Sequence, residues 1–342
     1  MSAPLRLRLY SAALTDNWRV LAGMSGRAAC GAAVKADGYG LGANEVVRRL
    51  AAAGCRDFFV ATWAEALALA PSDVSLAVLH GVREDDLSAA MSGVARPVLN
   101  TTAQVARWKA AGGGACDVMV DTGMNRLGVS VAEIAAGLLD GLTIDTLMSH
   151  LACADEDVAM NAAQRDALAA LAGKTGAQRM SLANSAGIAL GAGYAFDLTR
   201  PGLALYGGVQ RPEFAGRIRQ VVTPEAQILQ RRLVPAGGKV GYNATWTAPA
   251  PTEVAILNLG YADGYWRGFS DKGVARAGGQ ALPVLGRVSM DLTAIDVSAA
   301  SALAEGDWVA LDYALPEAAA VSGMSQYELL TGMGRRYDRI WS

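Results

Sequence analysis

The residues able to do chemistry in this chain lie far apart in sequence. In AAVKADGYG, residues 32–40, a short apolar run delivers a single lysine, Lys35, and breaks at once into Gly38, Tyr39 and Gly40. An amine held partly out of water loses some preference for its charged form and becomes a usable nucleophile toward an aldehyde. Farther along, DTGMNRLG carries Arg126, SHLACADE carries His150, ANSAG carries Ser185, and RPG carries Arg200 and Gly202. Each also has a plain reading: a solvated strand end for Lys35, surface ion pairs for the arginines, a hydrogen-bonded core histidine for His150, a helix N-cap for Ser185. The glycines after Lys35 run G-x-G-x-G, a poor match to the dinucleotide fingerprint.

What could bring such residues together is a matter of the elements between them. From about residue 30 to 200 short β-type runs alternate with helical patterns: GAAVK, DFFVA, SLAVL, RPVLN, CDVMVD, IDTLMSH, QRMSLA and FDLTR are the strand candidates. Between them, GANEVVRRLAAAG places Ala43, Val46, Val47 and Leu50 at helical spacing, and TTAQVARWKAAGG opens on threonine caps and closes on glycines. Strands alternating with helices pair in parallel through right-handed crossovers. Eight units favour a closed (β/α)₈ barrel of TIM type, because closure leaves no strand edge unpaired. The barrel is expected over residues 1–215, with its opening residues free to join a second domain. Past residue 215 the rhythm changes to EAQILQRRLV, TEVAILNLG, ALPVLGRVSM, LTAIDV and DWVALDY, separated by proline and glycine turns. That reads as a C-terminal, mostly antiparallel β domain over 216–342.

The totals agree with two packed domains. Over half of the 342 residues are apolar, and the net charge of -2 gives no reason to expect nucleic acid or an anionic membrane as partner. Four scattered cysteines and two histidines suggest neither a disulfide framework nor a metal cage. No signal-peptide core or membrane-length run is present, so a cytoplasmic protein is expected. The arginines of GRRYDRIW, near the C-terminus, read as a solvated tail.

Barrel enzymes collect their chemistry at the C-terminal ends of the strands, and phosphate groups often settle after strands seven and eight. On this layout Lys35 ends the first strand, Arg126 follows the fifth, His150 ends the sixth, Ser185 follows the seventh, and Arg200 with Gly202 closes the eighth. One lysine, two arginines, a histidine and a phosphate candidate would share one rim. Pyridoxal phosphate offers an aldehyde, a phosphate and a pyridine nitrogen, each needing such a partner.

At this point the motifs resemble a family. AVKADGYG, DTGMNRLG, SHLACADE, ANSAG, RPGLALYG, VGYNATW, LNLGYADGYWR and GRVSMD, in this order, are similar to the signature stretches of alanine racemases of the pyridoxal phosphate, barrel-plus-β-domain type. The resemblance implies an isomerase interconverting L-alanine and D-alanine by two bases, supplying D-alanine for peptidoglycan. Lys35 would carry the cofactor as a Schiff base and act as one base, and Tyr242 would be the other. Tyr39 and Ser185 would hold the phosphate with the backbone of Gly202, while Arg200, oriented by His150, would face the pyridine nitrogen. Arg126 and the Met290 N–H would bind the substrate carboxylate, and Tyr261 would line the approach to the site. It also implies a homodimer whose tyrosine base reaches the partner's barrel.

The sequence departs from the family pattern at three places. Many relatives carry a modified lysine where Met119 stands, a cysteine where Ser289 stands, and a phosphate-binding tyrosine that has no assignable equivalent in GMGRRYDRIW. The alternatives are a serine or broader small-amino-acid racemase, a pyridoxal phosphate-dependent decarboxylase, and a non-catalytic pyridoxal phosphate-binding protein. A decarboxylase of this plan places an acidic residue where RPG offers Arg200, and single-barrel carriers lack the β domain.

Overall fold

The structure, a computed structural model, describes residues 3–69 and 74–342. The chain divides into two compact units, Leu14–Arg219, and Gln220–Ser342 together with the N-terminal segment through Ala13.

In the first unit the alternating apolar runs form parallel strands: Ala29–Cys30 continued by Ala32–Ala33, then Asp57–Val60, Ser75–Val78, Arg96–Leu99, Cys116–Met119, Ile144–Met148, Arg179–Ser181 and Leu198–Thr199. Each pairs with its sequence neighbour, and the last returns to the first through Leu198↔Ala29 and Thr199↔Cys30, closing the barrel. The first strand serves two neighbours by breaking at Gly31. A Cβ there would lie 2.7 Å from the Asp57 carbonyl oxygen and 2.9 Å from the Phe59 ring, so glycine is what lets the chain change partners. Phe59, Ala77, Val98, Met119, Met148 and Leu198, from six different strands, pack into one interior layer. The barrel interior is therefore a filled core, not a channel. Outside it, helix Ala43–Ala53 buries Val46, Val47 and Leu50, the positions whose spacing predicted it. Truncating Leu50 to alanine would cost roughly 2–5 kcal/mol. Thr101 accepts the Gln104 N–H and caps Thr102–Ala110.

The N-terminal ends of the strands are closed by charge. Arg96 meets Asp117 at 3.3 Å and Asp145 at 3.2 Å, while Arg179 meets Asp57 at 3.0 Å and Asp145 at 2.6 Å. Three carboxyl groups thus share two guanidinium groups. Asp117 is fully buried, and burial pushes its carboxyl up to about 6 against the pull of Arg96. Between the ordinary aspartate value of 3.8 and about 6 the folded state keeps a proton that the unfolded chain has released, so this group's contribution falls as pH rises through that window. Asp117→Asn is expected to remove that decline, a difference of up to about 3 kcal/mol in urea-unfolding free energy between pH 4 and 7. The comparison is read as variant minus wild type, because His150, whose ring is held below its ordinary value, runs in the opposite sense. Parallel curves would contradict it.

The second unit is built on the long strand Val222–Val234. It pairs antiparallel with Leu5–Leu9, Trp308–Leu311 and Thr252–Leu257, and an irregularity between Ile228 and Gln230 lets one strand serve several partners. Thr293–Asp296, Gln280–Leu285 and Val274–Ala277 complete the circuit back to Trp308–Leu311. The GRRYDRIW segment is not a solvated tail. Asp338–Trp341 adds a parallel strand to Leu5–Leu9, and Arg336 forms a bidentate pair with the buried Asp263 at 2.6 and 2.8 Å. No helix among the described residues is long and apolar enough to cross a membrane.

Candidate active site

The first strand ends at Ala33, and the chain then makes a feature that composition alone does not announce. Ala36, Asp37, Gly38 and Tyr39 all take left-handed backbone angles, with φ of 53°, 54°, 64° and 56°, followed by Gly40 at 84°. Each non-glycine residue there costs on the order of 1 kcal/mol. Hydrogen bonds offset the strain: Gly38 N–H donates to the Val34 carbonyl at 2.8 Å, Gly40 N–H to Ala36 at 2.9 Å, and Ala43 N–H to Asp37 Oδ1 at 2.8 Å. The turn carries Lys35 at one end and Tyr39 at the other. Burial lowers the Lys35 amine from its ordinary value, and the Arg126 and Arg200 cations lower it further, against a raising pull from Glu65. The sequence expectation of a partly dry amine is met.

Tyr39 is buried and stacks on Tyr206 with ring centroids 4.6 Å apart. Its hydroxyl lies where a side chain on Gly202 would have to go: a Cβ at Gly202 would sit 2.2 Å from Tyr39 Oη and 3.0 Å from Cζ. Ser185 is not the cap of its helix. Asn184 caps Ser185–Ala189 by accepting the Gly187 N–H, which frees Ser185 Oγ to accept the N–H groups of Gly202 at 2.9 Å and Ala204 at 3.2 Å. Two backbone donors, a serine hydroxyl and the close passage of Tyr39 by Gly202 are the groups that could serve as a small anion cradle after strands seven and eight. Because stacking holds the Tyr39 ring, Gly202→Ala is expected to weaken phosphate binding, raising the dissociation constant for pyridoxal phosphate at least about tenfold. The accompanying loss of folding stability should be about 1–3 kcal/mol. Titration of the cofactor-free protein and urea unfolding measure the two effects, and unchanged cofactor affinity would contradict the assignment.

Arg200 lies buried behind the cradle. It donates to the Ser149 carbonyl at 2.6 Å and to Ser181 Oγ, so its orientation comes from these two groups and not from the His150 ring. Burial draws its guanidinium down to about 10, still charged at neutral pH. His150 is pushed down to about 3 by burial and by Arg200, Arg126 and Lys35, and is therefore a neutral ring in this cationic corner. Its stabilising contribution is present above the ordinary histidine value of 6.5 and is lost as pH falls through the acid range. Met119, at the position of the modified lysine of many relatives, belongs to the barrel layer. The Arg126 loop is steadied otherwise: Asp121 Oδ1 accepts the N–H groups of Gly123 at 2.8 Å and Asn125 at 3.1 Å, and the hydroxyls of Thr122 and Ser149 share a hydrogen bond of 2.7 Å. The Arg126 side chain is exposed and meets no acceptor among the described residues.

In the β unit, three further candidates fall on three loops, two of which are joined by backbone hydrogen bonds. Tyr261 N–H donates to the Ser289 carbonyl and Ala262 N–H to the Met290 carbonyl, both at 3.0 Å, and a Cβ on Gly260 would collide with that same backbone. Asp263, clamped by Arg336, accepts the Gly260 N–H at 3.0 Å and fixes the turn that carries Tyr261. The Met290 N–H meets no backbone acceptor among the described residues. Tyr242 is 70% exposed and follows Gly241 at φ 77°, with Asn243 at 62° and Ala244 at 50°. It lines a concavity of about 540 Å³ with Arg287 and Ser289. Sequence reading missed Ser149 and Ser181, whose contacts with Arg200 join distant stretches of chain and leave no local pattern, and Asp121, whose contacts lie within its own DTGMN loop.

The barrel rim fits pyridoxal phosphate by its own chemistry: a lowered lysine amine for the aldehyde, a built anion cradle that a single methyl would fill, and a buried arginine with no competing carboxylate hydrogen-bonded to it. Fold and rim together define a barrel-plus-β-domain protein of the pyridoxal phosphate class. Residues 10–210 match the family profile "Alanine racemase, N-terminal domain" and residues 221–341 match "Alanine racemase, C-terminal domain". The chain belongs to the alanine racemase family. It is 43% identical to an alanine racemase of Acidiphilium cryptum, with 98% of each chain covered. It is 42% identical to a catabolic alanine racemase of Agrobacterium fabrum over 96% of this chain and 90% of that one. The crystal structure of alanine racemase from Bartonella henselae with covalently bound pyridoxal phosphate superposes with a TM-score of 0.90 at 33% identity, covering 100% of both chains.

Proposed function

We propose that the protein interconverts L-alanine and D-alanine, with pyridoxal phosphate carried on Lys35 and with Lys35 and Tyr242 as proton carriers on opposite faces of the substrate. The observation that carries the reading is the Lys35 amine, lowered by burial and by two arginines, at the rim that also holds the anion cradle. When bound, the cofactor supplies the electron sink that makes the substrate α-hydrogen acidic. The residues do the rest. Ser185, Tyr39 and the Gly202 N–H would hold the phosphate; Arg200, kept charged, would be the partner of the ring nitrogen; Arg126 and the Met290 N–H would hold the carboxylate. The neutral His150 adds no further positive charge to this corner. Lys35 Nζ takes or returns a proton on one face and Tyr242 Oη on the other, because a single base would tend to restore the starting isomer. Tyr261 lines the approach.

Alanine is favoured over serine by the family, and the pocket contacts that separate them are worth only about 1–3 kcal/mol. Measuring kcat/KM for both isomers of both amino acids tests the reading. Release of carbon dioxide from basic amino acids, or cofactor absorbance without turnover, would favour the decarboxylase or carrier alternative. We place Tyr242 in a second copy of the chain, so that a homodimer shares its active sites. Dilution to monomer is then expected to abolish racemisation, and full activity in a sedimenting monomer would overturn the shared site. Four unpaired cysteines fit a reducing cytoplasm, where D-alanine would be available for peptidoglycan.

A further inference from the structure

Glu65 stands at the start of helix Trp63–Leu69 in the stretch TWAE, and its first role is local. Thr62 Oγ1 accepts the Glu65 N–H at 3.3 Å, while Glu65 Oε2 accepts the N–H groups of Thr62 at 3.2 Å and Ala61 at 2.7 Å. That is a capping box, and it needs one carboxylate oxygen. The other oxygen leaves the helix: Glu65 Oε1 accepts the Ala36 N–H at 2.7 Å, directly after Lys35. One rigid carboxylate therefore ties the end of the second barrel strand to the left-handed turn that carries Lys35 and Tyr39. The same group is an anion close to an amine whose other charged neighbours, Arg126 and Arg200, are cations, with His150 neutral beside them. Asp37, on the lysine's own turn, is committed to the Ala43 N–H.

We propose that Glu65 is a positioning residue for the reaction, fixing the backbone behind Lys35 and supplying the negative charge that balances the two arginines at its amine. The proposal rests on Lys35 as the cofactor-bearing lysine. A capping role alone would make Glu65 replaceable by glutamine without consequence for Lys35, since glutamine serves equally well in a capping box. Glutamine keeps one acceptor oxygen, which serves the capping box, and puts an amide nitrogen opposite the Ala36 N–H, so the charge and that one backbone bond are lost together. Arg126 and Arg200 are then unopposed, the ammonium form of Lys35 loses support and the amine becomes free at lower pH. Removing the side chain releases the helix cap as well, and a displacement of the amine near 1 Å can cost on the order of a hundredfold in rate.

The test uses full-length wild type, E65Q and E65A without cofactor. Reductive methylation of Lys35 is followed against pH by peptide mass spectrometry, and thermal stability and pyridoxal phosphate affinity are measured in parallel. E65Q is expected to stay folded, melting within about 5 °C of wild type for the one backbone bond it loses, while its Lys35 labelling midpoint moves to lower pH. E65A is expected to show the same movement and at least about a tenfold loss of cofactor affinity. A midpoint unchanged in both variants, whatever their melting temperatures, would reduce Glu65 to a helix cap and overturn the proposal. Because the titration needs no cofactor, that result is distinct from a wild-type protein that takes up no pyridoxal phosphate, which would instead sink the reading of Lys35.

Discussion

Lys35→Ala should abolish racemisation, lowering kcat by at least about 10⁴-fold, close to 5.5 kcal/mol of barrel-bound catalysis. The amine is asked to do two things, to hold the cofactor covalently and to move a proton, and alanine does neither. Lys35 is not a core residue, so the barrel layer of Phe59, Met119 and Met148 is untouched and the variant should fold. Lys35→Arg sharpens the experiment. Arginine keeps a positive charge near Arg126 and Arg200, but its guanidinium does not give up a proton in proteins. If the reaction needed only charge at that position, arginine would rescue it; the expectation is a loss as deep as with alanine. Turnover of both isomers and cofactor retained after dialysis, read by visible absorbance, measure the two functions separately. Turnover within tenfold of wild type in either variant would contradict the assignment.

Tyr242→Phe should lower racemisation by about 10³-fold while leaving cofactor binding at Lys35 intact. The substitution removes one oxygen from a side chain that is mostly exposed within its own chain, so its cost to folding should stay within about 0.5 kcal/mol. The three positive φ angles at Gly241, Asn243 and Ala244 hold the tyrosine out on a tight loop beside Arg287, and phenylalanine leaves that backbone unchanged. A normal melting temperature and cofactor spectrum with deeply reduced turnover would separate the chemical loss from a structural one. A fall of less than tenfold would remove Tyr242 from the list of proton carriers.

The barrel was legible because its physics is periodic. Each parallel strand is buried on both faces and reads as a short apolar run, and each intervening helix repeats apolar residues at its own spacing. Lys35, Ser185 and Arg200 could be placed on one rim because a closed parallel barrel sends every strand end to the same face. The supports were less legible. Arg200 could be assigned to the ring nitrogen, but a carbonyl on Ser149 and a hydroxyl on Ser181 orient it, and any residue type can supply a carbonyl. Arg336 and Asp263 lie 73 residues apart, so nothing local in GRRYDRIW marks its arginine as the clamp on a buried carboxylate. The left-handed turn after Lys35 was visible only as glycines, although Ala36, Asp37 and Tyr39 adopt it too. Glu65 did leave a signal, the T-x-x-E pattern of TWAE, but that pattern reports its helix and not its second oxygen.

The most direct test of the account is proton exchange in the Tyr242→Phe variant. Incubated in heavy water with each alanine isomer separately, the variant retains Lys35 and should exchange the α-hydrogen of one isomer for deuterium while producing little of the other. The second isomer, whose α-hydrogen faces the missing hydroxyl, should stay unlabelled, as followed by proton NMR. Equal exchange of both isomers would mean that one group serves both faces, and the assignment of Lys35 and Tyr242 to opposite sides would be wrong.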